Sequence, residues 1–347
     1  MDTAVGILLV TLAGLVTGSC LWPIKLIRRF QFEHYWFVGM LPLVILPWSV
    51  VLATVADPGQ ACAHLLATAW KPLMAANLLA IGWGIANVLA GLCVVRIGFV
   101  LSGAILTAIG LMVVTTLPMI VKGSGQFRGA PDLTSPAGVM VIAALAVMLV
   151  GLLFTVLAGF GRERVLAKED VQRPASGGFL GGLVMAVTAG VLSAGMPLAF
   201  VYGQGPIIDV MQAHGAGRVA SSLAVWATGL LGGSLVNIIY PAVLITKNKS
   251  WGVLGQSWRE IGLSVAMGTQ LILAFACAGY GALLLGALGA SVGFGIQQAM
   301  QIVGGQGVGF ASGEWRGVHG KPRGQIYFAI LLLAIGVFHL VYAKMLT

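Results

Sequence analysis

Residues 137–158, AGVMVIAALAVMLVGLLFTVLA, run for 22 positions without a charge, and residues 159–170, GFGRERVLAKED, follow at once with six. About 20 apolar residues span the hydrocarbon core of a bilayer as one helix, because in lipid the backbone must satisfy its own hydrogen bonds. Working outward from this stretch, nine more apolar runs recur, at 4–21, 36–55, 73–95, 97–121, 178–203, 219–245, 261–283, 291–312 and 326–346. The chain of 347 residues is 59% hydrophobic and 8% charged, against roughly 25% charged in a soluble domain. The predicted fold class is therefore an all-α polytopic membrane protein of ten transmembrane helices.

The Lys and Arg residues set the expected orientation. Fourteen of nineteen fall in the odd-numbered loops: Lys25, Arg28 and Arg29; Arg96; Arg162, Arg164, Lys168 and Arg173; Lys247, Lys249 and Arg259; and Arg316, Lys321 and Arg323. The positive-inside rule places those loops in the cytoplasm, with both termini periplasmic if the membrane is a bacterial inner membrane. Met1-Asp2-Thr3 has no basic n-region, so the first apolar run is expected to remain as a helix rather than be cleaved. The net charge of +9 comes without a Lys/Arg run or an RNA-binding motif, so anionic headgroups explain it better than nucleic acid.

The charged connector 159–177 divides the chain into halves of five spans, 1–158 and 178–347. An odd number of spans per half inverts the second half relative to the first, as in many secondary transporters, whose sites lie at the repeat interface near mid-membrane. Gly14-Leu15-Val16-Thr17-Gly18 in span one has a counterpart in Gly190-Val191-Leu192-Ser193-Ala194 in span six. Joins at Arg96-Ile97-Gly98 and at 286–290 are expected to be tight antiparallel hairpins. The fifty glycines include small-residue spacings such as Gly305, Gly309 and Gly313, which let helix backbones approach. Gly305-Gln306-Gly307-Val308-Gly309 lacks the strand, the helix start and the G-K-[S/T] of a nucleotide loop.

Trp83-Gly84-Ile85-Ala86-Asn87, followed by Gly91, Arg96, Gly98, Gly103 and Gly110, resembles the L-rhamnose/proton symporter family of the drug/metabolite transporter superfamily. Ile45-Leu46-Pro47-Trp48, Ser193-Ala194-Gly195-Met196 and Glu314-Trp315 extend the likeness in order along nearly the whole chain. The resemblance implies ten helices in two five-helix repeats and import of a small neutral solute, L-rhamnose or a related sugar, with protons by alternating access. An exporter or facilitator of another small metabolite is the alternative. Residues 271–289 depart from the family in being mostly Leu, Ala and Gly, with only Phe275 and Tyr280 as aromatics, so little sugar stacking is expected from that helix.

A neutral sugar is held by amides, hydroxyls and rings. The candidate solute-binding residues are Trp83 and Asn87 one turn apart on span three, Gln297 and Gln301 one turn apart on span nine, Gln270 on span eight and Asn237 on span seven. Such amides also tie neighbouring helices together, which for Gln270 and Asn237 is the stronger expectation. All ten acids lie in loops or at span ends, which counts against a multidrug cation antiporter and leaves Glu33, His34, Lys25 and His339 as candidates for proton coupling. For Lys25, snorkelling to headgroups is the simpler expectation. Met196-Pro197 is the candidate kink of span six. Five scattered histidines and four cysteines without C-x-x-C spacing predict neither a metal centre nor a cofactor, and no enzyme. The expected partners are the solute, protons and membrane lipids.

Overall fold

The computed structural model describes residues 2–97, 99–166 and 179–346, all in helices and their connections, with no strand among the described residues. Gly98 of the expected join at 96–98 and residues 167–177 of the connector lie outside them. In chain order the helices are α1 (Asp2–Ser19), α2 (Phe32–Met40), α3 (Pro42–Thr54), α4 (Pro58–Ile97), α5 (Phe99–Ile120), α6 (Pro136–Leu166), α7 (Phe179–Ser193), α8 (Gly195–Ala213), α9 (Arg218–Ala224), α10 (Leu231–Lys247), α11 (Trp258–Leu284), α12 (Phe294–Ala311) and α13 (Lys321–Met345). Eight helical stretches are long and apolar enough to cross a membrane, and a ninth is reached if the α9–α10 pair, bent by 51°, counts as one. The chain is a multi-pass membrane protein. The remaining expected span, 291–312, corresponds to α12, whose glutamines at 297, 298, 301 and 306 dilute its apolar content.

Several spans are broken where local chemistry breaks them. Pro42 occupies the first turn of α3, where its missing N–H is harmless, and separates it from α2. Ala69 of α4 leaves helical geometry (φ −136°, ψ 28°) three residues before Pro72, whose ring excludes the normal i−4 bond. Span six breaks at Ala194, and Pro197 sits in the first turn of α8 rather than at a kink in mid-helix. Between α9 and α10, Val225–Gly229 forms a widened π turn. The tight hairpin expected at 286–290 is present: Gly286, at φ +71°, starts a 3-10 turn, and the π turn Gly289–Gly293 leads into α12. Only glycine takes such a φ without strain.

Packing follows a regular scheme. α1 lies against α11 and α12, and α7 lies against α4 and α5; α4 meets α10 as α2 meets α11; and α6 pairs with α13. Small residues permit the closest crossings. A Cβ on Gly14 would come within 2.5 Å of the Gln297 carbonyl oxygen, and one on Gly84 within 2.6 Å of the Val236 side chain. Outward, side chains such as Leu8, Leu180 and Phe338 are more than 60% exposed, an apolar belt suited to acyl chains.

The loops gather at two ends. At one, Lys25 binds Glu314 and Ser312, Arg162 Nη1 lies 2.7 Å from Glu314 Oε2, and Asn248 Nδ2 donates to Glu33 Oε1 at 3.0 Å. At the other, Ala56 N donates to the His214 carbonyl at 3.0 Å and Gln126 Nε2 to the Leu283 carbonyl at 2.7 Å. Loops one, five, seven and nine thus share one end, and loops two, four, six and eight meet pairwise away from it.

Candidate functional site

Two of the sequence-selected amides meet between α4 and α10. Asn87 Nδ2 on α4 donates to Asn237 Oδ1 on α10 at 2.9 Å, and Trp36 Nε1 on α2 donates to the same oxygen at 3.2 Å. Asn237 is 1% exposed, and its own Nδ2 donates to the Gly233 carbonyl at 2.9 Å. One carboxamide therefore joins three helices and spends most of its hydrogen-bonding capacity doing so.

Trp83, one turn from Asn87, opens a chain of rings. Its ring meets Phe275 of α11 edge-on at 6.0 Å, Phe275 stacks on Trp226 at 5.4 Å, Trp226 stacks on Phe200 of α8 at 5.2 Å, and Phe200 meets Phe294 of α12 at 6.0 Å. The helix with few aromatics thus supplies one ring of this chain, Phe275, between Trp83 and Trp226. Trp226 rides on the π turn between α9 and α10, so the break in that span is what aims the indole inward.

A small void lies among Leu43, Trp83, Trp226, Leu230, Ser234, Ile272 and Phe275, with free room of about 10 Å³, enough for one water. No charged side chain lines it. The indole Nε1 of Trp226 is buried without a hydrogen-bond partner among the described residues. Ser234 stands one turn from Asn237, which sets the void beside the amide cluster. The void is thus walled by ring-bearing residues and a serine, all neutral, one of them carrying an unpartnered indole N–H: the chemistry of an uncharged, hydroxylated solute.

The other candidates lie apart. Gln297 is 2% exposed on α12, one turn from Phe294, and makes no hydrogen bond to another described residue; Gln301, a turn further on, is half-buried and likewise unbonded. Thr115 Oγ1 and Ser291 Oγ are buried without hydrogen-bond partners among the described residues. Gln270 is fully engaged between α1 and α11: Nε2 donates to the Val16 carbonyl at 3.1 Å and to Ser19 Oγ at 3.0 Å, and Oε1 accepts from Trp22 Nε1 at 3.0 Å.

Of the proton-coupling candidates, His339 is half-buried and bonds the Ile335 carbonyl of its own helix at 2.8 Å. Glu33 and His34 are buried at the loop end, where His34 Nε2 lies 3.0 Å from Ser250 Oγ. Lys25 is held by Glu314 and Ser312 rather than reaching freely to headgroups. Burial works to raise the Glu314 pKa, but Lys25 and Arg162 outweigh it and hold the carboxylate below its ordinary range. Trp226, Ser234 and the pairing of Lys25 and Arg162 with Glu314 escaped sequence reasoning, because contacts between distant spans leave no local pattern. No group of three or more His, Cys, Asp or Glu among the described residues could hold a metal ion.

Comparison with known proteins adds an independent observation. The family model described as L-rhamnose-proton symport protein matches residues 1–340. An L-rhamnose-proton symporter of Yersinia pestis bv. Antiqua (strain Antiqua) is 25% identical over 244 residues, 70% of this chain and 68% of its own length. An L-rhamnose-proton symporter of Yersinia pseudotuberculosis serotype O:3 (strain YPIII) is similar to the same extent, over 67% of its length.

Proposed function

Since the chain belongs to the L-rhamnose-proton symport protein family, a family of transporters and not of enzymes, we propose that it imports a small neutral solute, L-rhamnose or a related sugar, together with protons. The observation that carries the reading is the uncharged void between Trp83 and Trp226, with its unspent indole N–H. The C–H face of a sugar packs on such rings, and its hydroxyls take up Trp226 Nε1 and Ser234. Trp83, Asn87 and Asn237 frame this site; Gln297 and Gln301 stand apart from it on α12 as further solute-binding candidates, and Gln270 braces α1 against α11.

The site is closed here, with room for one water and with polar contacts across both ends. Transport by alternating access requires each end to part in turn. The packing scheme supports two inverted repeats of five spans, 1–158 and 178–347, joined by the cytoplasmic connector 159–177. If span six corresponds to span one, the contacts of α7 with α4 and α5 are the counterpart of those of α1 with α11 and α12. The breaks in span two at Leu41 and in span seven before Leu230 also correspond. Ten spans, odd loops in the cytoplasm of a bacterial inner membrane and periplasmic termini complete the arrangement.

The proton route is assigned to the loop end, where Glu33, His34 and Lys25 lie, with His339 as the other titratable candidate. The test is uptake of labelled L-rhamnose into proteoliposomes under an imposed inward proton gradient. Gradient-driven uptake is expected. Absence of flux for every sugar, with flux for a different metabolite, overturns the assignment in favour of an exporter or facilitator.

A further inference from the structure

A groove of about 600 Å³ runs along the membrane-facing side of the molecule between α1 and α11. Its floor is apolar, built from Leu12, Ala13 and Val16 on one helix and Val265, Ala266 and Leu273 on the other. The one strongly polar side chain in it, Gln270, is saturated by its bonds to α1 and Trp22 and offers the groove nothing. An acyl chain fits such a surface.

The mouth of the groove is different in chemistry. Following the α11 face upward from Ala266 and Gly262 by one helical turn leads to Arg259 and Trp258, the latter 82% exposed. Arg28 is brought to the same place, because its backbone N–H donates to Glu260 Oε1 at 3.1 Å. The Glu260 carboxylate is itself 5% exposed and also accepts from the backbone of Arg29 and Phe30, so it is turned inward. Neither the Arg28 nor the Arg259 guanidinium makes an ion pair or hydrogen bond with another described residue. Trp22, 39% exposed, flanks the opposite lip. Two unspent guanidinium groups with exposed indoles beside an acyl-sized groove, at the end where basic loops gather, match an anionic headgroup above a hydrocarbon tail.

We propose that this groove is a binding site for an anionic phospholipid, with the acyl chain between α1 and α11 and the phosphate on Arg28 and Arg259. The lipid would brace the contact between the first helix and the helix that carries Phe275 into the ring chain.

The test is lipid titration of the purified, full-length protein, read by native mass spectrometry and by melting temperature, with phosphatidylglycerol and phosphatidylcholine of identical chains. Phosphatidylglycerol is expected to bind roughly 30-fold more tightly, from two basic side chains at the membrane surface. The double substitution R28Q/R259Q should erase that preference while leaving phosphatidylcholine binding unchanged. Gly262→Leu should weaken both lipids alike, since nothing lies within 4 Å of a Cβ there and the side chain grows into the groove without strain. Retention of the phosphatidylglycerol preference by R28Q/R259Q, or unchanged binding of both lipids by Gly262→Leu, overturns the proposal. So does a lipid-free dimer that Gly262→Leu dissociates, because the occupant would then be a second copy of the chain. Lipid-free melting temperatures of the variants separate loss of binding from loss of fold.

Discussion

Arg162 Nη1 lies 2.7 Å from Glu314 Oε2, and Lys25 holds the other oxygen of the same carboxylate, so one acid beyond α12 ties down the ends of α1 and α6. Lys25 comes from the first half of the chain, Arg162 from the start of the connector at the end of α6, and the acid from the second half. Parting the halves at this end means breaking both pairs. Glu314→Gln is expected to speed solute exit through this face in single-turnover release from preloaded vesicles. At pH 7 it should cost about 1 kcal/mol or less of stability, because the site is 40% exposed and surface ion pairs are screened. The pH dependence has a definite sign. The pKa of folded Glu314 is depressed below 4.5, so its stabilisation is present above 4.5 and is lost as pH falls through the folded value. Melting curves of wild type and Glu314→Gln should therefore differ at pH 7 and converge in acid.

Trp226→Phe keeps a ring on Phe200 and Phe275 and removes only the indole N–H and its second ring. Because that N–H has no partner among the described residues, the melting temperature should stay close to wild type. Solute affinity should fall about fivefold, the equivalent of one neutral hydrogen bond of about 1 kcal/mol. Equilibrium binding of L-rhamnose to both proteins checks this, and unchanged affinity would remove the indole from the site.

Asn237→Ala should behave in the opposite way. It strips the acceptor from Asn87 and Trp36 at once and leaves two half-buried donors unpaired, at a cost of about 1–3 kcal/mol for each donor that finds no water. Thermal unfolding in detergent should show a clear loss of stability before any binding defect is measured. The double mutant Asn87→Ala/Asn237→Ala should lose less than the sum of the single losses, as coupled residues do.

Much of this arrangement can be read in the chain, and the exceptions share a cause. The apolar runs, the bias of basic residues and the glycine spacing are one-dimensional signals, and they reappear as helices, as loops gathered at one end and as close crossings such as Gly14 against Gln297. Asn87 and Asn237 were visible because an amide inside an apolar run is costly and therefore informative. Trp226 was hidden, since an aromatic in an apolar run is ordinary; only the π turn at Val225–Gly229 and the rings of two other helices, Phe200 of α8 and Phe275 of α11, make it central. The pairing of Glu314 was equally hidden, because nothing local in its loop shows that Lys25, 289 positions away, is its partner.

Gly268→Ala tests the crossing of α2 and α11. The added Cβ would collide with the Gly39 carbonyl, and neither backbone can yield without shifting its helix. Overpacking of this kind costs about 1–3 kcal/mol. Gly262→Ala, six residues earlier on the same helix, meets nothing and should gain a few tenths to about 1 kcal/mol from helix propensity alone. The two substitutions change composition identically, so a drop in melting temperature for one and a small rise for the other isolates the packing contribution.

Gln297 and Gln270 carry the same side chain and give the sharpest contrast between a held amide and a waiting one. Gln270 makes three hydrogen bonds that join α1, α11 and Trp22, so Gln270→Leu should destabilise the fold by about 1–3 kcal/mol. Gln297 is as deeply buried as any polar residue of α12 and bonds no described residue. Its side chain gains no hydrogen bond from a described residue in the closed form, and Gln297→Leu should leave stability unchanged or raise it by about 1 kcal/mol. A buried amide that weakens the resting fold persists only at a cost, and contact with the solute or its path during the transport cycle would offset that cost. Uptake by Gln297→Leu should therefore fall at least several-fold although the protein is as stable as wild type. Full uptake with raised stability would place the binding residues on the α4, α10 and π-turn side of the void and leave α12 as a wall.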